Sequence, residues 1–179
     1  MSAAAGIVAF WRDAGLAKWF GGGEAFDDEC RTLLLDAHFA ASRREFEHWL
    51  ASAEGALALM ILLDQVPRNI FRGSAHSFAT DPLALHYALR AIDAGLDVQV
   101  EPDLRFFLYM PFEHSEAITD QERAVALFKA LGNANLLGYA NAHREVIARF
   151  GRFPHRNAAL GRSNTPDEQA WLGAGGGTQ

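Results

Sequence analysis

Three stretches of the sequence place arginine, histidine and acidic side chains directly after an apolar segment. They are residues 62–73, 105–116 and 150–157. In the first of them an aspartate and two arginines follow one another at intervals of four residues. Arginine presents a planar fork of donors that suits carboxylate and phosphate, while histidine and glutamate can transfer protons near neutral pH. These residue types favour a site for a small anionic ligand.

The helices ahead of these stretches decide whether the polar side chains meet. If the helices pack side by side with the same ends together, the polar side chains share one cleft. The predicted ligand-binding residues of this cleft are Asp64, Arg68, Asn69, Arg72, His114, Arg152, His155 and Arg156. The candidates for acid–base catalysis are His114, His155, Glu113 and Glu116. No nucleophile-elbow pattern is present, which disfavours nucleophilic catalysis by a serine. Whether the protein is an enzyme stays open.

Each of these groups also has a structural interpretation. Asp64 and Arg68 can pair across one helical turn and satisfy backbone groups near Pro67. The two histidines can be buried, hydrogen-bonded side chains at helix ends. Metal binding by His114, His155 and a glutamate is disfavoured, because the nearby arginines repel a cation and no HExxH spacing is present. We therefore expect neither a metal nor another cofactor.

The chain is acidic, and its length is that of a single domain. It has 179 residues and a formal net charge of −6, which argues against a nucleic-acid binder. Cys30 is the only cysteine, so no intramolecular disulfide can form and a reducing, cytoplasmic compartment is expected. No apolar run approaches the ~20 residues of a membrane helix, and no signal peptide is recognisable. We predict one all-helical domain over residues 1–172 and a disordered, glycine-rich tail over residues 173–179.

Apolar side chains recur at helical spacing through nearly the whole chain, which predicts about eight or nine helices joined by short loops. We expect an all-α fold of layered antiparallel helix pairs, with helix–turn–helix spacing but no fixed repeat signature. The predicted N-terminal caps are Ser52, Asp81, Thr119 and Thr165. Pro67 lacks a backbone donor, so the most apolar helix is predicted to end or kink near Val66.

Four motifs resemble a known bacterial family. They are Leu63-Asp64-Gln65-Val66-Pro67-Arg68-Asn69, Phe78-Ala79-Thr80-Asp81, Tyr109-Met110-Pro111-Phe112-Glu113-His114-Ser115-Glu116 and Phe150-Gly151-Arg152-Phe153-Pro154-His155-Arg156-Asn157. In order and spacing they look like domain of unknown function 924, over nearly the whole chain from Phe10 to Leu172. The resemblance implies an all-helical fold similar to tetratricopeptide-type helix pairs, and it implies no established activity. Val66 stands where the family more often has phenylalanine.

Two classes of function follow from these observations. In the first, the arginine and histidine side chains form a pocket for a small anionic ligand, with acid–base chemistry as an option. In the second, the protein is a helical scaffold that binds a peptide or a partner protein, and its polar motifs are purely structural. The density of ionisable groups in three short motifs favours the pocket. The distinguishing observation is whether the protein itself satisfies the hydrogen bonds of these side chains.

Overall fold

The computed structural model describes residues 3–177, which form two compact units. The first unit contains residues 3–72 and His76–Pro111, and the second contains Gly73–Ala75 and residues 112–177. The regular elements of the described residues are all helical, and no strand occurs among them. The prediction of an all-α protein is therefore confirmed. That the chain forms a single domain stays a prediction.

The first unit is built from six α-helices among its described residues. They are α1 (Ala4–Gly21), α2 (Gly23–Ser42), α3 (Ala53–Met60), α4 (Val66–Ile70), α5 (Asp81–Asp93) and α6 (Pro102–Arg105). Short 3-10 segments of the chain are Glu47–Ala51, Ala75–Phe78, Asp97–Gln99, Phe106–Leu108 and Pro154–Arg156. α1 and α5 pack against α3, and α2 packs against α4. Across residues 3–177, no helix is both long enough and apolar enough to cross a membrane.

The centre of the first unit is a helical run that changes its hydrogen-bond pattern once. α3 leads into a π-helical turn over Ile61–Gln65, and α4 starts at the next residue, Val66. All residues from 55 to 67 are buried, as the apolar sequence requires. The predicted interruption near Val66 therefore takes the form of a π turn and not of a break. A π turn is one of the few ways in which a helix accommodates a proline without ending.

The π turn leaves the carbonyl of Leu62 without its usual helical donor. The N–H of Val66 donates to Ile61 instead, one residue further back. Nδ1 of His38 lies 2.8 Å from the Leu62 oxygen, so the His38 ring supplies the missing donor. His38 is buried, and this burial lowers the pKa of its imidazole below the ordinary value despite the bond to Leu62. A neutral His38 with its proton on Nδ1 thus completes the helix.

Pro67 leaves a second carbonyl, that of Leu63, without a donor. In an α-helix this oxygen would accept a hydrogen bond from the N–H of residue 67, which proline does not have. The hydroxyl of Thr80 donates to the Leu63 oxygen at 2.5 Å. A side chain from the start of α5 therefore replaces the backbone donor that the sequence lacks at position 67.

Two of the four predicted N-terminal caps are confirmed. The Ser52 hydroxyl accepts a hydrogen bond from the N–H of Gly55 at 3.1 Å and caps α3. Thr165 accepts from the N–H of Glu168 at 3.2 Å, and the Glu168 carboxylate accepts from the N–H of Thr165 at 2.7 Å. This reciprocal pair is a capping box at the start of the last helix.

The other two predicted caps are wrong. Asp81 is the first residue of α5 rather than its cap, and its carboxylate accepts two hydrogen bonds from Arg68. Thr119 lies inside a helix that begins one residue before it. The hydroxyl of Ser115 instead accepts the N–H of Ala117 at 3.2 Å ahead of this helix. In both cases the helix starts at or before the predicted cap, so the local pattern misplaces its first residue.

The second unit is dominated by a helical hairpin of α8 (Ile118–Leu131) and α9 (Ala134–Phe150). It is preceded by α7 (Met110–Glu113), at whose centre the unit boundary lies, and followed by α10 (Pro166–Gly173). Gly132 ends α8 with a left-handed φ of 79°, a conformation that favours glycine. The hairpin therefore needs only two connecting residues, as the predicted short loops require.

The glycine-rich end of the chain folds back onto the second unit. The N–H of Gly176 donates to the carbonyl of Trp171 at 3.0 Å. A Cβ atom added to Gly177 would lie 2.7 Å from Cβ of His155, so this backbone rests directly on the histidine. Gly177 has a φ of 84°, which lets the chain turn back at this point. Residues 173–177 form a helix end and a packed turn, and residues 178–179 lie outside the described residues. That this glycine-rich segment is disordered in solution stays a prediction.

Candidate functional site

The end of the 62–73 stretch is fastened to α2 through Asp27. Asn69 donates a hydrogen bond to the Asp27 carboxylate at 2.8 Å, and Arg72 donates two at 2.8 and 2.9 Å. Burial favours a raised pKa for Asp27, but the hydrogen bonds from Arg72 and Asn69 outweigh it and lower the pKa below the ordinary value. Both predicted ligand residues are therefore engaged with a carboxylate of their own chain.

Arg68 bridges α4 and α5. Its guanidinium donates to both oxygens of Asp81 at 2.9 Å, and Nη1 lies 3.3 Å from a carboxylate oxygen of Asp64. Nη1 also donates to the Asp64 carbonyl at 2.5 Å. Asp64 is fully buried and accepts a further hydrogen bond from Gln65 at 2.5 Å. This arrangement matches the structural interpretation, in which the acid and the arginine secure the chain around Pro67.

An open groove borders this part of the first unit. Its walls are formed by Lys18, Trp19, Phe20, residues 21–23, Asn69 and Arg72. Lys18 pairs with Glu29 at 2.7 Å, and Arg72 pairs with Asp27 at 2.8 Å. Since each cation already faces a carboxylate, the groove offers little net positive charge to an anion.

The second unit contains a carboxylate–imidazole pair that sequence reasoning missed. Nδ1 of His143 lies 3.0 Å from a carboxylate oxygen of Glu113 and 2.9 Å from the carbonyl of Tyr139. Both neighbours are acceptors, so Nδ1 carries a hydrogen. Burial opposes a charge on the ring, but the hydrogen bond and the negative charge of Glu113 raise the pKa of His143 above the ordinary value. The His143 ring therefore holds its proton to higher pH than an exposed histidine.

Nitrogen-containing side chains surround the buried ring of Phe153. The guanidinium carbon of Arg156 lies 4.5 Å from the ring centroid, and the ring centroids of His155 and His143 lie 5.4 and 5.5 Å from it. The His114 ring lies 6.5 Å from that of His143. We call these five side chains the Phe153 cluster. It combines one permanent cation with three imidazoles, one of which pairs with the Glu113 carboxylate, and its nitrogen donors suit an anionic ligand.

Within the Phe153 cluster, part of the His155 surface is exposed to solvent, and this side chain makes no hydrogen bond among the described residues. Partial burial under Gly177, followed by the positive charges of Arg156 and His143, lowers the pKa of His155 to about 4. At neutral pH its ring is uncharged, with one nitrogen that can donate and one that can accept.

Two other predicted site residues are held in ion pairs of the second unit. Glu116 accepts hydrogen bonds from Arg162 at 2.7 and 2.9 Å, and it also accepts the N–H of Phe153 at 2.8 Å. Arg152 donates to both oxygens of Glu168 at 2.6 and 2.8 Å. These hydrogen bonds are the main reason why the pKa of Glu168 falls to about 2. Glu116 and Arg152 thus secure the backbone beside the Phe153 cluster.

The structure therefore divides the predicted residues into two groups. Asp64, Arg68, Asn69 and Arg72 lie together in the first unit, and Glu113, His114, Glu116, Arg152, His155 and Arg156 lie in the second. That the two groups share one cleft stays a prediction. The residues that sequence reasoning missed are Asp27, His143, Arg162 and Glu168. His143 occurs at helical spacing with apolar residues, so its pattern resembles that of a core face. Glu168 has a local signal only as part of the capping box of Thr165, and Asp27 and Arg162 have none as partners of site residues.

A metal centre has no support from the described residues. Within residues 3–177, no group of three or more histidine, cysteine, aspartate or glutamate side chains is placed to hold a metal ion. In the Phe153 cluster, His143 and His155 lie within range of the positive charge of Arg156, which opposes a bound cation.

Replacing Gly177 by alanine will raise the pKa of His155. The added Cβ would come within 2.7 Å of His155 Cβ, and φ of 84° is unfavourable for alanine, so the tail must leave the histidine. With less burial, the His155 pKa moves from about 4 toward the ordinary value of roughly 6.5. An NMR titration of the histidine signals measures this directly. Gly132→Ala has a similar backbone penalty without a contact to His155 and should leave the His155 pKa unchanged.

The chain is an all-helical protein with a site rich in histidine and arginine. Comparison with known proteins identifies its family. The profile described as "Bacterial protein of unknown function (DUF924)" matches residues 7–176, so the chain belongs to this family. A solved structure of a protein of unknown function, ATU0120 from Agrobacterium tumefaciens, is similar with a TM-score of 0.92 and 53% identity. The match covers 94% of this chain and 96% of that chain. No curated protein matches the sequence.

Proposed function

We propose that the Phe153 cluster binds a small anionic ligand through a phosphate or carboxylate group. The observation that carries the proposal is the position of His155. Its ring is exposed, makes no hydrogen bond among the described residues and stands beside Arg156. An exposed imidazole next to a guanidinium suits an anion that binds from solvent.

A structural role is the better proposal for the polar residues of the first unit. Asn69 and Arg72 are bound to Asp27, and Arg68 is bound to Asp81. We propose that these contacts secure α4 against α2 and α5, and that ligand binding belongs to the second unit. The α8–α9 hairpin with its two-residue connection supports layered antiparallel helix pairs of the tetratricopeptide type as the proposed arrangement. A cytoplasmic location is proposed from the single cysteine alone.

A thermal-shift screen tests the anion site. Purified protein is heated with phosphorylated metabolites, carboxylates, nucleotides and divalent metals, one compound at a time. An anion present at ~100 times its dissociation constant stabilises the fold by about 2.7 kcal/mol. In a protein of this size such a gain raises the melting temperature by roughly 5–10 °C. The expected result is a shift with one class of anions and none with divalent metals.

Two variants assign the shift to the Phe153 cluster. His155→Gln should melt like the wild type without ligand, because the side chain is exposed, but should lose the anion-dependent shift. His86→Gln, which replaces an exposed histidine on α5, should keep the shift. Arg156 is buried, so Arg156→Ala is expected to melt earlier as well as to lose binding. If no anion stabilises the wild type and Arg156→Ala only melts earlier, the cluster is structural and a protein partner should be sought.

A further inference from the structure

The pairing of His143 with Glu113 determines which atom of the ring can reach a ligand. Nδ1 faces two acceptors, the Glu113 carboxylate at 3.0 Å and the Tyr139 carbonyl at 2.9 Å. Nε2 makes no hydrogen bond among the described residues. A histidine that is oriented through one nitrogen by a carboxylate presents the other nitrogen in a fixed direction. Nε2 of His143 is therefore the atom available to a bound molecule.

The charge of the His143 ring depends on the groups around it. Glu113 and His114 face it from the α7 region, and the Tyr139 carbonyl faces it from α9 itself. His155 and Arg156 face it from the 3-10 turn Pro154–Arg156. Glu116 acts on the neighbouring His155. Glu113 is nearly fully buried, with a side chain 6% exposed, and its negative charge supports an imidazolium. The positive charge of Arg156 acts in the opposite direction, yet the pKa of His143 remains raised. Nε2 thus carries a hydrogen up to higher pH than in an isolated histidine.

We propose that Nε2 of His143 donates to a phosphate monoester bound at the Phe153 cluster, with Glu113 as the positioning residue. The proposal rests on the proposed function and names the ligand class of the same site. The rings of His143 and His155 and the guanidinium carbon of Arg156 lie 5.5, 5.4 and 4.5 Å from the centroid of the Phe153 ring, so an anion bound beside this ring meets three nitrogen-bearing side chains. A phosphate monoester presents three terminal oxygens and about two negative charges at neutral pH, whereas a carboxylate presents two coplanar oxygens and one charge.

The wild-type protein gives the first test. Inorganic phosphate, sulfate and acetate are titrated by calorimetry between about pH 6 and pH 9, and the histidine signals are followed by NMR. Below the His143 pKa the ring is charged, so the affinity is fully present there and falls as the pH rises through that value. Sulfate is a tetrahedral dianion throughout this range and separates the titration of His143 from that of phosphate. Phosphate and sulfate should bind about tenfold more tightly than acetate at the acidic end.

Glu113→Gln is the variant that tests the positioning residue. The amide keeps the size of the side chain but removes the charge that holds the proton on His143. We expect the affinity for sulfate near neutral pH to fall about tenfold and its pH dependence to shift to lower pH. His143→Gln should remove the pH dependence altogether. Glu122→Gln, the same change at an exposed position of α8, should match the wild type.

The outcomes separate this inference from the proposed function. If sulfate and acetate bind equally and Glu113→Gln changes neither, His143 takes no part and the inference is overturned, while an anion site remains. If no anion binds to the wild type or moves the His155 signal, both proposals fail. If Glu113→Gln does not fold, the pH profile of the wild type still decides, because a sulfate affinity that is constant through the His143 titration overturns the inference.

Discussion

Arg68→Ala will lower the free energy of unfolding by about 3 kcal/mol or more. The guanidinium bridges the fully buried Asp64 and the carboxylate of Asp81, and its own side chain is only 21% exposed. Removing one member of a buried ion pair typically costs about 3–5 kcal/mol, because the remaining charge loses its partner in a poorly solvated site. For a chain of this length the melting temperature should fall by roughly 6–20 °C. Urea and thermal denaturation followed by circular dichroism measure both quantities.

Two substitutions show whether the loss comes from burial. Arg72→Ala removes an arginine four residues further along, but its side chain is 64% exposed, so we expect a loss of about 1 kcal/mol or less. Arg68→Lys keeps the charge and removes the two-pronged contact with Asp81, which should give an intermediate loss. Equal effects of Arg68→Ala and Arg72→Ala would contradict the structural role of Arg68. Unchanged anion binding in a folded Arg68 variant would place the ligand site elsewhere, as proposed.

The features that local sequence specifies were predictable. Helical spacing of apolar residues indicates an all-α fold, because it depends only on which face of each helix is buried. The caps at Ser52 and Thr165 were also predictable, since each is complete within three or four residues. Thr119 has the same local pattern as Thr165 and forms no cap. Asp120, the second residue of that pattern, instead accepts a hydrogen bond from Ser115, which precedes the helix.

The features that depend on distant residues were not predictable. The sequence predicts Arg72 as a ligand-binding residue, but its partner Asp27 lies 45 positions earlier in α2, outside every predicted motif. His38 appeared in no motif and completes the backbone at Leu62, 24 residues away. In both cases a side chain becomes important through a contact that only the folded chain creates. A motif rich in charge therefore indicates where contacts are made, without indicating whether the partner is a ligand or the protein.

In the candidate site, one important residue belongs to no polar motif and was therefore not predictable from the sequence. His114, His155 and Arg156 stand out because they are polar residues in short motifs. His143 lies in α9 four residues after Tyr139, whose carbonyl accepts from it, so its spacing is that of an ordinary helical position. Its pairing with Glu113 becomes visible only when α9 packs beside the end of α7. Sequence reasoning thus found the histidines of the loops and missed the one in a helix.

The junction between the π turn and α4 gives the second large prediction. Thr80→Val removes the donor of the buried Leu63 carbonyl while keeping the shape of the side chain. A buried acceptor without a donor costs about 1–3 kcal/mol, so the free energy of unfolding should fall by that amount. Thr80→Ser keeps the hydroxyl and should lose much less. Chemical denaturation of the three proteins at one pH gives the comparison.

Pro67→Ala tests the reason for the hydroxyl. Alanine at position 67 has an N–H that can donate to the Leu63 carbonyl, the bond that proline prevents. In the Pro67→Ala background the cost of Thr80→Val should therefore drop by about 1 kcal/mol, which a double-mutant cycle measures as a coupling energy. Additive effects would mean that Thr80 stabilises α5 independently of position 67. A clear coupling would mean that the Thr80 hydroxyl stabilises the protein by replacing the backbone donor that Pro67 lacks. No other property of threonine depends on whether residue 67 has an N–H.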